Sequence, residues 1–118
     1  MANSLDFDQA LNELDVLLQS DLSTAQKKLA EYETAFSSLT PTQKGRLRID
    51  RAISYIFVSE YAKALDDLHQ AETLITNSEL LASVYSYKAT VYIGMRDYDK
   101  ALSAVAKALA LVVNIDDV

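Results

Sequence analysis

Residues 59–74 read SEYAKALDDLHQAETL, and residues 96–111 read RDYDKALSAVAKALAL. Set one on the other at an offset of 37, they share tyrosine, lysine, alanine, leucine, alanine and leucine in step. The match continues upstream, where RAISYI at 51–56 faces KATVYI at 88–93 with the same offset. Ala64, Leu68 and Ala71, and again Ala101, Val105 and Ala108, recur at four- and three-residue spacing, the period of one helix face. Two consecutive helices therefore repeat together. A helical hairpin recurring at a fixed period of roughly 20 to 50 residues is the mark of a stacked repeat array.

Small residues at matched heights have a physical purpose in such an array. Ala52 should face Ala64 inside one hairpin and Ala89 should face Ala101 inside the next, so that the paired axes approach toward the short end of the usual 8 to 10 Å range. Tyr55 and Tyr92 then fill the space where one hairpin meets its neighbour. Ala71 and Ala108 keep the second helix of each pair slim on the stacking side.

Working outward, apolar residues at Leu11, Leu14 and Leu18, and at Leu22, Ala25, Leu29, Tyr32 and Phe36, carry the same period. They predict two helices that break near Ser20-Asp21, with Asp21 or Ser23 as the second cap. Thr40-Pro41-Thr42-Gln43 is a start signal: a hydroxyl acceptor, a proline with no amide to orphan, and a glutamine that can reach back. A third helix should run from Thr40 to about Val58. Ser59 should cap a fourth through Leu74, Asn77 or Ser78 a fifth through about Met95, and Asp97 a sixth through about Val113. The expected architecture is all-α: one domain over 1–118, made of three antiparallel hairpins at about 5–38, 40–76 and 78–113.

Bulk properties agree. The 118 residues are half hydrophobic but include only two glycines and one proline, too few for the many tight reversals of an all-β fold. The net charge of −6 disfavours nucleic acid and anionic lipid as partners. No apolar run is long enough to enter a membrane, and the opening MANSLDFDQALNELD is unlike an export signal. The expected compartment is cytoplasmic for the chain as written, or periplasmic for an excised piece of a longer protein. Without cysteine, disulfides, thiolate metal sites and a Cys nucleophile are excluded.

In the third hairpin Tyr85, Ala89, Tyr92, Tyr98, Ala101, Val105 and Ala108 resemble the tetratricopeptide repeat motif. Asp97-Tyr98-Asp99-Lys100-Ala101-Leu102 looks like that family's interhelical turn. In the second hairpin Ala52, Tyr55, Tyr61, Ala64, Leu68 and Ala71 match. Arg48 stands where the family prefers a large aromatic, and Thr76 and Val113 where it often has proline. The first hairpin matches only through Val16, Ala25 and Leu29, so the resemblance covers about 40–113. The offset of 37 exceeds the family's usual 34, which points to three added residues near Ile75 to Glu79.

The resemblance implies a right-handed superhelical solenoid whose concave groove is built from the first helix of each hairpin. The groove residues it implies for binding a partner are Arg46, Ile49, Asp50, Ile53, Ser83, Tyr87 and Thr90, with Ile56, Phe57, Ser86 and Ile93 beside them. Family members that grip a terminal carboxylate use lysine and asparagine where this chain has Ile49, Ile53, Ser86 and Thr90. A chaperone-tail receptor is therefore not expected. Tyr87 is the natural anchor, an amphipathic ring in a groove.

Lys44, Arg48 and Arg51, with Arg46 nearby, form a basic strip in an acidic chain. It reads either as a docking strip for an acidic peptide or as charges paired with Asp66, Asp67 or Glu31. The second is preferred, because short charge runs are usually solvated and partly paired. His69 has only Asp66 and Glu72 near it on its helix face, short of a metal site. Gly45 and Gly94 are isolated and form no phosphate loop. The pairs Asp66-Asp67 and Asp116-Asp117 read as exposed charge, and neither catalysis nor a cofactor is expected. Val105, Leu109 and Val112 would be left partly bare on the last helix. That face suggests a longer parent polypeptide or a homodimer through the last hairpin. The leading expectation is a noncatalytic protein- or peptide-binding module, its partner acidic if it touches Arg46 or Arg48. The alternatives are a sensory or regulatory input segment of a larger signalling protein, bacterial and membrane-linked, and a self-associating scaffold.

Overall fold

Thr40 starts a helix for a local reason: its hydroxyl accepts from the Gln43 amide at 3.1 Å, while Gln43 Oε1 accepts from the Thr40 amide at 3.1 Å. Both arms of the capping box are closed, as the sequence predicts, with Pro41 as the first helical residue. The computed structural model describes residues 4–116, with side chains from residue 6 to 113; the Asp116-Asp117 pair lies outside the described side chains. Among the described residues the chain is all-helical with no strand: α1 (Ser4–Ser20), α2 (Leu22–Glu33), a 3₁₀ turn (Phe36–Ser38), α3 (Pro41–Phe57), α4 (Tyr61–Leu74), α5 (Ser78–Gly94) and α6 (Tyr98–Asp116).

Most starts follow the capping residues. Asp21, and not Ser23, caps α2 by accepting from the Thr24 amide, and Asn77 caps α5 by accepting from the Leu80 amide. The Asp97 carboxylate accepts from the Lys100 amide at 3.3 Å at the start of α6. Two starts and stops differ from the sequence reading. Ser59 does not cap α4; it takes a left-handed φ of 60°, and Glu60 holds the cap position without a side-chain bond. The α3 carbonyls claim this turn first: Ser59 N–H donates to the Ile56 oxygen at 3.0 Å and Glu60 N–H to the Tyr55 oxygen at 2.9 Å, a Schellman closure. The second helix stops at Glu33, short of Phe36, because the Thr34 hydroxyl and amide both donate to the Glu31 carbonyl. The chain then tightens, and Phe36 comes to lie 3.8 Å beneath the Arg48 guanidinium.

Contacts fix the directions of the helices. The start of α3 lies against the end of α4, where a Cβ on Gly45 would stand 2.7 Å from Ile75 Cδ1 and closer still to Cγ1. The end of α5 lies against the start of α4, where a Cβ on Gly94 would stand 2.6 Å from Tyr61 Cε1. Gln26 bonds to Ser54, and Glu33 to Arg48, so α2 and α3 run in opposite senses. By contrast Asp8 pairs with Gln43, and Asn12 and Asp15 with Arg46, so α1 and α3 run in the same sense. Neighbours in sequence are antiparallel, and α1 and α3 point one way.

Two apolar clusters sit between them. Leu11, Leu14, Leu18, Ala25, Leu29 and Leu47 close the first three helices. Ile49, Ala52, Ala64, Leu68, Ala71, Ile75, Val84 and Val91 join α3, α4 and α5. Each fully buried leucine or valine adds about 1.5–3 kcal/mol over its exposed state. Ala52, Ala64, Ala89 and Ala101 are all buried, in keeping with close approach of paired helices. Val16 and Tyr98, given packing positions by the resemblance, are instead exposed. Val16 points away from the first cluster, whose contacts come from Leu14 and Leu18 on the other face of α1. Tyr98 occupies the place that Tyr61 fills against Gly94, but no described helix follows α6 to receive it.

Candidate binding groove

One face each of α1, α3 and α5 frames a groove of about 510 Å³. Asp15, Leu18 and Gln19 come from α1, Arg46, Ile49, Asp50, Ile53 and Phe57 from α3, and Leu80, Ser83 and Tyr87 from α5. Three helices of like direction make this possible, because residues at three- and four-residue spacing on each present one continuous stripe. Of the seven residues the sequence assigns to a binding face, Arg46, Ile49, Asp50, Ile53, Ser83 and Tyr87 line it. Thr90 does not; it is exposed, and its hydroxyl donates to the Ser86 carbonyl at 3.3 Å. Asp15, Leu18, Gln19 and Leu80 are the lining residues the sequence reading missed. The α1 contribution had no repeat signal to reveal it, since the first hairpin carries so little of the motif.

The walls are mainly apolar and the floor is ionisable. Asp50 is buried, and desolvation, then its contact with Asp15, pushes its carboxyl up to about 9 against the pull of Arg46. A carboxyl cut off from water beside a second carboxyl favours the protonated form of the pair. Burial first, then the nearby Asp50 and Asp15, pushes the half-buried Tyr87 phenol up as well. Arg46 is committed to α1, with one terminal nitrogen 2.8 Å from Asn12 Oδ1 and 3.4 Å from Asp15 Oδ2.

The basic strip is spoken for. Arg48, which the resemblance puts at an aromatic position, is buried: its terminal nitrogens reach Glu33 at 2.7 and 2.8 Å and its Nε reaches Gln70 at 2.9 Å. Arg51 grips the buried Asp67 at 2.9 and 2.7 Å and lies 3.6 Å from Glu33. Of the expected acidic partners only Asp67 serves; Glu33 replaces Glu31 and Asp66, because it lies one turn beyond the buried Leu29 on the face of α2 toward α3, while Glu31 and Asp66 are exposed. Asp66 is exposed, but Asp67 is buried and works as an ion-pair partner, contrary to its reading as exposed charge. An acidic ligand thus finds no uncommitted guanidinium among Arg46, Arg48 and Arg51.

A second polar cluster lies on the other side of α5, where the Glu72 carboxylate accepts from the buried Lys88 ammonium and the Tyr85 hydroxyl. Burial raises Glu72, yet these two donors outweigh it and hold the carboxyl below its ordinary value. His69 lies beside them. Among the described residues no group of three His, Cys, Asp or Glu could hold a metal ion, and no helix is long and apolar enough to cross a membrane. Comparison of the chain with protein-family models, with curated proteins and with solved structures finds no match.

Proposed function

We propose that the chain is a noncatalytic interaction module of three hairpins, stacked as in tetratricopeptide repeats, whose groove receives a segment of a partner protein. The observation that carries this reading is the groove itself: α1, α3 and α5 turn one face each toward a single trough, with six of seven sequence-assigned residues along it. Ile49, Ile53, Leu80 and Tyr87 offer an apolar seat, and the polar floor offers direction, the usual division of labour in a binding site. Titration of a purified partner against wild type, Tyr87→Ala and Phe57→Ala tests it. Losses of about tenfold or more are expected for an anchor of this kind; equal affinities for all three proteins would remove the groove from the function.

A second reading has its own observation. Leu102 is 69% exposed, Leu109 59% and Val113 61%, with Val105 and Val112 beside them on α6. The positions equivalent to Val105 and Val112 on α4 are Leu68 and Ile75, which are buried with α5 packed against that helix. The α6 face has the character of an α4 face lacking its α5, which favours self-association through the last hairpin.

A further inference from the structure

The polar floor of the groove holds an atom without a partner. Asp50 is 3% exposed, and its Oδ2 is the buried side-chain oxygen that meets no hydrogen-bond donor among the described residues. Beside it from α1 stands the Asp15 carboxyl, which offers only further acceptors. Two such groups satisfy each other by sharing a proton. Arg46, on the same helix as Asp50, is already bonded to Asn12 and Asp15. From α5 the titratable group facing the pair is Tyr87, held as a neutral phenol by burial and by the two carboxyls. The floor therefore has two carboxyls for one guanidinium, in a chain of net charge −6.

We infer that the groove floor receives the cationic side chain of a lysine or arginine from the partner segment, its charged end between Asp15 and Asp50. This inference rests on the reading of the groove as a docking site. A basic side chain brings N–H donors to Asp50 Oδ2, which has none, and a second positive charge to a carboxyl pair whose one cationic contact is Arg46 to Asp15 at 3.4 Å. A divalent ion would need more oxygen ligands than two carboxyls beside an arginine supply. The apolar wall selects a peptide over a free amine, because Leu18, Ile49, Ile53 and Leu80 can cover an aliphatic neighbour of the basic residue. When the cation enters, the proton shared by the two carboxyls leaves to solvent. Affinity therefore rises with pH, by up to about tenfold per unit below the point where Asp50 ionises unaided.

The test uses the blocked tripeptide acetyl-Leu-Lys-Leu-amide, its analogues with norleucine or glutamate in place of lysine, and spermidine, each titrated into the full chain by amide NMR at two pH values one unit apart near neutrality. The lysine peptide should shift Asp15, Asp50 and Tyr87, bind at least about tenfold tighter than the norleucine peptide, and tighten at the higher pH. Asp50→Asn, which keeps the size and removes the titrating oxygen, should abolish both the preference and the pH dependence. Norleucine or glutamate peptides that bind the groove as well as lysine overturn the inference and leave the docking reading standing. Probes that shift no groove residue overturn both. Spermidine binding as tightly as the lysine peptide overturns the assignment to a peptide segment. Carboxyl ¹³C titration of wild-type Asp50 is a check independent of any variant: the lysine peptide must move its ionisation downward, and an unmoved titration overturns the inference.

Discussion

Ser59 and Arg96, 37 positions apart, hold the same left-handed backbone conformation, with φ of 60° and 62°. Each sits just past a helix end and closes it identically. Glu60 N–H reaches back to the Tyr55 carbonyl, and Asp97 N–H to the Tyr92 carbonyl. The repeat written in side chains is thus also written in the backbone. Neither residue is a glycine, although a left-handed conformation costs an L-residue about 1–2 kcal/mol.

Glycine at either position should therefore stabilise the chain. Part of the relief is returned as greater freedom of the unfolded chain, leaving a net gain of about 0.5–1 kcal/mol each for Ser59→Gly and Arg96→Gly. Urea unfolding of the two variants checks this. Lower midpoints for both would mean that their side chains contribute more than the conformation costs.

Gly45 should resist the opposite change. It lies inside α3, where alanine gains about 0.5–1 kcal/mol of helix propensity. The new methyl would collide with Ile75, which is buried and has nowhere to go. Gly45→Ala should be destabilising on balance by about 1–2 kcal/mol, and Ile75→Ala in the same chain should recover part of that loss. A double-mutant cycle reads the coupling; strict additivity would place the two side chains out of contact.

These cases show what was legible. Caps, helix periods and the repeat are local or periodic, so Thr40, Gln43, Asn77 and the alanines at 64 and 101 could be placed from sequence. The groove was legible along α3 and at Ser83 and Tyr87 of α5, where the repeat supplied a register, but not at Leu80 or Thr90. It failed on α1, whose Asp15 has no counterpart to copy. Ion pairs were harder still. The choice of Glu33 over Glu31 for Arg48 follows from helix phase: Glu33 lies one turn beyond the buried Leu29, on the face toward α3, while Glu31 is exposed. Tyr98 differs for another reason: its counterpart 37 residues earlier, Tyr61, packs against Gly94, and packing needs a neighbour.

Arg48 and Glu33 form a partly buried pair, and Arg48 hydrogen bonding is the chief cause of the depressed Glu33 carboxyl. The folded value lies below the unfolded one, so the stabilisation is present above the ordinary glutamate range and is lost as pH falls through the folded value. Wild type should lose stability over that acid window more steeply than Glu33→Gln. Arg48→Ala should cost about 2–4 kcal/mol at neutral pH, since it also empties the space over Phe36 and leaves Gln70 unbonded. Parallel acid profiles for wild type and Glu33→Gln would show that the pair contributes nothing.

Asp50 should act in the reverse sense. Its folded value, about 9, lies above the ordinary 3.8, so its contribution is full below the unfolded value and declines as pH rises toward the folded one. The decline from this group is at most about 1.4 kcal/mol per pH unit. Asp50→Asn should therefore be more stable than wild type in mildly alkaline solution, with the difference shrinking as the solution is made acidic. Chemical denaturation at several pH values measures it. A difference that stays constant with pH would place an ionised carboxylate at Asp50 throughout.

The exposed apolar face of α6 should bring two copies of the chain together. On the α4 side Leu68 and Ile75, at the heights of Val105 and Val112, are buried in the cluster shared with α5; on α6 Val105, Leu109 and Val112 border an open pocket beside α5 and stay exposed. A second copy of the chain can cover that face, and burying it would recover about 25 cal/mol for each Å² of apolar surface removed from water. Light scattering during size-exclusion chromatography should find a dimer whose population rises with concentration. Leu109→Glu places a charge where the face would close, at a residue 59% exposed, so the monomer itself should keep its helicity and melting behaviour. The variant should be monomeric at concentrations where wild type is dimeric. A wild type that remains monomeric at millimolar concentration, or a Leu109→Glu variant that dimerises as well as wild type, would show that copies of this chain do not meet through α6.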